Sequence, residues 1–235
     1  GNLRSVVSGL IFAVVAQMSL SGMLAPLRDR IAGVWVTSGG QNLDLLSALH
    51  LPQGAGLAIG LGFAALALGL ARHNRIGASR LIFGAGVGFA VAGGWVLAFA
   101  VGSALSSLAF EPVQIESATF TGPSANTLMF FLTRPAVLEF DIGLVPGVVL
   151  GAFLAALATR EFRFQGFEGT APLRRAMIGA ALMGFGGMLA GGCAIGAGVT
   201  GGSIFVGTAW LALFFMWIGA MATDLLLDQR HPLPA

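Results

Sequence analysis

Between Ala176 and Thr223 the chain runs for 48 residues without an Asp, Glu, Lys, Arg or His. About 20 apolar residues carry a helix across a bilayer, so this run predicts two passes and their connection, all at membrane depth. The connection is not helix-like. Gly184-Phe-Gly-Gly-Met-Leu-Ala-Gly-Gly-Cys193-Ala-Ile-Gly-Ala-Gly-Val-Thr-Gly-Gly-Ser203 sets the only cysteine of the 235 residues among glycines. Irregular backbone at this depth persists only where protein covers it or where it lines a water-filled cavity. The expected feature is therefore a broken helix with a thiol at the break.

The rest of the composition fits a membrane. Charged residues make up 9% of the chain, against about 25% in an average soluble domain. No segment shows the short alternating polarity of a transmembrane barrel. The fold class expected is all-α and polytopic, with about six transmembrane helices plus re-entrant or half-helices. The basic residues are twelve arginines with no lysine; gathered in a few loops, they report orientation and not nucleic-acid binding. One cysteine excludes an intrachain disulfide and a cysteine-cluster metal site. His50, His73 and His231 are scattered without ligand spacing, so neither metal nor cofactor is expected. Arg4 and the run 5–26 imitate the start of a signal peptide, but the run is long enough to span. Gly1 reads as a cut end.

Taken in order, Ser5 to Pro26 is the first span, stopped by Arg28-Asp29-Arg30. Residues 31–53 form a connector whose leucines predict a short interfacial helix. Gly54 to Ala71 and Leu81 to about Ser106 are the next spans, separated by Arg72, His73, Arg75 and Arg80. The loop 107–123 carries Glu111 and Glu116 and no basic residue. Ser124 to Thr133 is apolar but, at about 15 Å, too short to cross; it reads as a half-helix of the kind that builds transporter sites. Ile142 to Thr159 spans, with a bend expected at Pro146. The loop 160–175 is arginine-rich. Ala176 to about Ala190, the cysteine loop and Ile204 to Thr223 follow, and Asp224–Ala235 is a polar tail. Most arginines lie in 72–80 and 160–175, which places those loops and both ends in the cytoplasm. Gly1-Asn-Leu-Arg-Ser-Val-Val resembles Gly201-Gly-Ser-Ile-Phe-Val at the start of an oppositely directed span, as an inverted repeat requires.

Cys193 has two readings: a small buried hydrophobe, or a sulfur ligand. Glycines at 191, 192, 196 and 198 let backbone approach a ligand closely. A helix starting near Val199-Thr200 aims N–H groups and a positive dipole end at an anion. Gly184, Gly186 and Gly187 are accounted for by helix packing, as is the Gly84-Ala-Gly86-Val-Gly88 run, which matches a nucleotide loop only loosely. Thr119, Thr121, Ser124, Asn126 and Thr127 supply neutral donors at the half-helix, with helix capping by Ser124 the plainer alternative. Arg134, Glu139 and Asp141 read as a structural ion pair at the membrane boundary. No Ser-His-Asp set, Walker motif or nucleotide fingerprint is present, and no enzyme activity is expected. The substrate-contacting residues expected are Cys193, Gly192, Gly196, Gly198, Thr200, Ser124 and Asn126.

At these residues the sequence resembles a known family. Leu182-Met-Gly-Phe-Gly-Gly-Met-Leu-Ala-Gly-Gly-Cys193-Ala-Ile-Gly is similar to the signature of the YeeE/YedE sulfur-transport family, bacterial thiosulfate transporters. The likeness runs through Phe140-Asp-Ile-Gly-Leu-Val-Pro-Gly-Val-Val-Leu-Gly-Ala-Phe and Arg160-Glu-Phe-Arg, and covers roughly residues 85–225. The resemblance implies two inverted halves, each with a glycine–cysteine loop, meeting in a constriction that passes thiosulfate. It makes Cys193 the thiol of the second half. Residues 1–80 then hold the end of the first repeat and connecting helices, 81–225 the second repeat and 226–235 the tail, with the first-half cysteine upstream of Gly1. No second cysteine is present, and Ala197 stands where many members carry a polar residue, often Gln. The implied setting is the bacterial inner membrane, with a small sulfur anion and lipid as partners. Two other readings stand beside transport. One is a membrane sulfurtransferase that passes a Cys193 persulfide to a cytoplasmic acceptor protein; the other is a non-transporting accessory subunit of a larger membrane assembly.

Overall fold

A computed structural model describes residues 2–34, 44–50, 52–106, 118–133, 140–166 and 169–227. The helices are α1 (Leu3–Leu20), α2 (Ala25–Ala32), α3 (Leu45–Ala48), α4 (Gln53–His73), α5 (Ala78–Ser106), α6 (Thr121–Leu132), α7 (Phe140–Ala158), α8 (Thr170–Leu189) and α9 (Gly207–Leu227), with a π-helix over Gly196–Gly201 between α8 and α9. Among the described residues the only extended pairings are two isolated bridges, Asn2 with Gln165 and Asp44 with Val206. The protein is an all-α, multi-pass membrane protein. Among the described residues four helical stretches are long and apolar enough to cross a bilayer: Leu3–Leu20, Gly54–His73, Ala78–Ala100 and Gly207–Leu226; Ile142–Ala158 is a shorter apolar one. Phe63, Phe83, Phe89, Phe99 and Trp217 on these helices are exposed, as lipid-facing residues should be and as a water-facing surface rarely allows.

Several boundaries differ from the sequence expectation. The first span ends at Leu20, not Pro26, because the chain turns at Ser21 and Gly22. A Cβ on Gly22 would lie 2.8 Å from the Met18 Cα, so the turn admits only glycine there. Pro26 sits at the start of α2, where its missing N–H breaks no helical bond. Arg28-Asp29-Arg30 are inside α2, and the Arg28 guanidinium pairs with Asp29 at 2.7 Å. Helix α8 begins at Thr170, so Arg174 and Arg175 lie within it. Helix α9 starts at Gly207, after Phe205 in the left-handed region (φ 56°), and carries Asp224 inside it. Residues 107–117, with Glu111 and Glu116, lie outside the described residues, as do Arg134 and Glu139 and the side chain of Asp141.

The chain forms two compact units. The first unit comprises Gly1–Ser38 and Ala118–Cys193. In it α1 packs on α8 and α6, and α6 packs on α7. Small residues make the first contact close: Ala13, Ala16 and Ser19 are the buried residues of α1, Ala180, Gly184 and Gly187 those of α8. At Gly184 an added Cβ would lie 2.8 Å from the Phe12 carbonyl oxygen and 3.2 Å from the Ala16 nitrogen. The start of α1 is tied down by Asn2, whose side chain accepts the Arg4 N–H at 3.0 Å, and by a Leu3 N–H to Gln165 carbonyl bond of 3.1 Å.

The second unit comprises Gly39–Ser117 and Ala194–Ala235. Its connector helix α3 is only four residues, capped by Asp44, which accepts the Leu46 N–H at 3.0 Å. Leu45 donates its N–H to the Phe205 carbonyl at 3.1 Å, which docks α3 beside the turn preceding α9. The π-helix packs against α9: Gly198 faces Leu213 and Gly202 faces Trp210. Gly84, Gly86 and Gly88 on α5 have nothing within 4 Å of an added Cβ, so the packing role expected for them is not seen in this unit.

Candidate functional site: a thiol between two helix ends

Helix α8 stops in a way its glycines dictate. Ala190 is the C-cap and Gly191 takes φ +75°, a conformation that costs a residue with a Cβ roughly 1–2 kcal/mol. The Gly192 N–H then reaches back to the Gly187 carbonyl at 2.8 Å, and the Gly191 N–H to that of Met188 at 3.4 Å. This pair of bonds is the Schellman termination, which satisfies carbonyls a helix end otherwise leaves bare. Cys193 follows at once, outside the helix. The break expected from the sequence is there, and the cysteine sits on it.

Helix α6 begins where α8 ends. At 12 residues it is about 18 Å long, too short to cross, as the half-helix reading expected. It starts three residues earlier than that reading had it, at Thr121, with Phe120 at the cap position and no side-chain cap bond. Ser124 is therefore not the cap but a residue of the first turn, its N–H donating to the Phe120 carbonyl at 3.0 Å. Pro123 fits that first turn because the N–H it lacks has no helical partner there. Thr121, Pro123, Ala125 and Thr127 are buried.

The two helix ends meet at three points. The Phe120 N–H donates to the Cys193 Sγ at 3.4 Å. The Thr119 hydroxyl lies 3.7 Å from the same sulfur, and an added Cβ on Gly192 would come within 3.4 Å of it. Farther back, Gly187 faces Thr121, whose Oγ1 and Cγ2 lie 3.0 and 3.1 Å from an added Cβ. The Thr121 side chain is fully buried and its hydroxyl has no hydrogen-bond partner among the described residues. Cys193 itself is half-exposed. The sulfur thus accepts a backbone hydrogen bond at the positive end of a short helix whose first turn holds no acidic residue.

Of the residues expected at the site, Cys193 and Gly192 stand at this meeting point, and Ser124 and Asn126 are half-buried farther along α6. Gly196, Gly198 and Thr200 lie on the π-helix of the other unit, where Thr200 is buried at 4% exposure and Gly198 is packed on α9. The helix expected to open near Val199-Thr200 opens instead at Ala194, directly after the cysteine. Gly184 and Gly187 pack closely as expected; Gly186 does not, having open space around it. Phe120 escaped the sequence reading because its contribution is a backbone N–H, which residue identity does not advertise. Among the described residues no group of His, Cys, Asp or Glu could hold a metal ion.

The fold and this thiol define a multi-pass helical membrane protein with a free cysteine at the end of one helix and the start of another. The chain belongs to the Sulphur transport family, whose model matches residues 1–222. It is 36% identical over 111 residues to the thiosulfate transporter TsuA of Escherichia coli (strain K12), an alignment covering 47% of this chain and 31% of that protein. To the thiosulfate transporter TsuA of Spirochaeta thermophila it is 33% identical over 110 residues, covering 47% of this chain and 33% of the relative. The chain thus matches about a third of the length of these relatives.

Proposed function

We propose that this protein transports a small sulfur-containing anion, thiosulfate first, across the bacterial inner membrane, with Cys193 as the residue the anion meets. The observation that carries the reading is the placement of that sulfur. It lies off the end of α8, half-exposed, held by the Phe120 N–H at the start of a half-helix that has no side-chain cap bond. Such a start offers N–H groups to anionic oxygen, while the thiol offers a soft partner to the terminal sulfur. In a narrow, poorly hydrated passage each of these contacts counts for more than in water. The glycine–cysteine loop forms the constriction, with Gly192, Ser124 and Asn126 as further contacts. Residues 81–225 constitute the second of two inverted repeats, and both Gly1 and Ala235 face the cytoplasm.

Uptake of radiolabelled thiosulfate by cells making the full protein tests this. Replacing Cys193 by Ala is expected to abolish uptake while membrane insertion stays normal. Uptake by the alanine variant at the parental rate removes the thiol from the mechanism. The same cells separate carriage from sulfur transfer. In transfer, the Cys193 thiolate attacks the outer sulfur of thiosulfate, the S–S bond breaks, sulfite leaves with the electron pair and Cys193 keeps one added sulfur. Mass measurement of the Cys193 peptide after thiosulfate exposure is expected to show the unmodified thiol.

A further inference from the structure

We infer that Gly187 and Thr121 form a seat that positions the Cys193 thiol through the backbone stretches that meet at it. The inference builds on the reading of Cys193 as the residue the anion meets, and adds what holds it there. Gly187 acts twice. Its carbonyl accepts the Gly192 N–H at 2.8 Å and so fixes where the chain leaves α8, one residue before the thiol. Its Cα face receives Thr121, the first residue of α6. Phe120, which donates to the sulfur, is the residue before Thr121. A single glycine therefore sets both sides of the N–H to sulfur contact: the loop carrying the acceptor and the helix start carrying the donor.

The room at this seat is already used. Thr121 is fully buried with its hydroxyl unpartnered, an arrangement that costs stability and persists when the shape of the side chain is what matters. A methyl group on Gly187 would stand 3.0 Å from the Thr121 Oγ1 and 3.1 Å from its Cγ2, but 3.6 Å from its Cβ. The first two separations are tighter than ordinary contact, so the buried Thr121 side chain and the start of α6 must give by a few tenths of an ångström; the third is ordinary contact. Truncating Thr121 to Ala therefore makes room for the methyl group that Gly187→Ala introduces.

The test is the rate at which N-ethylmaleimide alkylates Cys193 in membranes holding the full protein without substrate, read on the Cys193 peptide by mass spectrometry. Gly187→Ala is expected to raise that rate by about fivefold or more, because the contact covering the sulfur opens. Adding Thr121→Ala to it is expected to bring the rate back to within about twofold of the parent, the signature of two coupled positions. Gly186→Ala, with open space around it, leaves the rate unchanged. If Gly187→Ala does not insert, the double variant decides alone: insertion with parental reactivity supports the seat. A parental or lower rate in Gly187→Ala overturns it, as does a double variant no closer to the parent than the single one. Because no substrate is present, these outcomes are independent of whether thiosulfate is the cargo.

Discussion

Thr121 keeps its place against Gly187 at a cost in unmet hydrogen bonding. Its hydroxyl sits at zero exposure with no partner, and a buried unsatisfied hydroxyl costs about 1–3 kcal/mol. Thr121→Val keeps the branched shape that rests on Gly187 and removes the stranded oxygen. The expected result is a thermal midpoint of the detergent-solubilised protein raised by about 2–4 °C per kcal/mol recovered, with Cys193 alkylated at the parental rate. A lowered midpoint would show that the oxygen finds a partner in the membrane. Residue identity made some of this legible and some not. Cys193 stood out as one thiol among glycines, and Gly191 with Gly192 marked where a helix had to end. Thr119 and Thr121 were visible as donors near the half-helix. Which of them reached the sulfur, and which was sealed against Gly187, depended on packing that their spacing does not encode.

At the scale of elements, the contact between α1 and α8 is set by backbone proximity and not by large side chains. Gly184 lets the Phe12 carbonyl approach to 2.8 Å from where a Cβ would stand, and a backbone atom cannot swing aside as a side-chain tip can. Gly179, on the same helix, has nothing within 4 Å. The two glycines should therefore respond oppositely to the same change. Gly184→Ala is expected to destabilise the solubilised protein by about 1–3 kcal/mol through overpacking. Gly179→Ala is expected to be neutral or to gain up to about 1 kcal/mol from helix propensity. Thermal unfolding of both variants checks this, and equal shifts would show that α1 and α8 do not meet at Gly184. Element existence was readable from runs of apolar residues, so α4, α5, α7 and the half-helix α6 fell where expected. Boundaries were less so. Arg174 and Arg175 mark the edge of apolar sequence, but arginine is a good helix former and α8 simply continues through them. Conversely, a lone Gly22 in an apolar run gives no turn signal, and only its contact with Met18 shows why the chain breaks there.

For the molecule as a whole, the membrane itself supplies the strongest remaining constraint. Composition alone made the chain a membrane protein, since helices this apolar have no other stable surroundings. Its direction through the bilayer rests on charge. Arg72, His73, Arg75 and Arg80 surround the turn between α4 and α5, whereas the connector helix α3 is capped by Asp44 and carries no basic residue. Helix α4, with 21 residues between these two points, is about 31 Å long, enough to cross the hydrocarbon core. Cytoplasmic loops collect arginine, so the α4–α5 turn is expected inside and α3 outside. The orientation expected from the sequence sets Arg28 and Arg30 against that bias, and the Arg28–Asp29 pair at 2.7 Å offsets one of them. Ser47 on α3 and Asn74 in the turn are both exposed, which makes them suitable reporters. With Cys193 replaced by Ala, a cysteine substituted for Ser47 is expected to react with a membrane-impermeant maleimide in intact spheroplasts. One substituted for Asn74 should react only after permeabilisation. Labelling of both from outside would mean that α4 does not cross, and the reverse pattern would invert the topology.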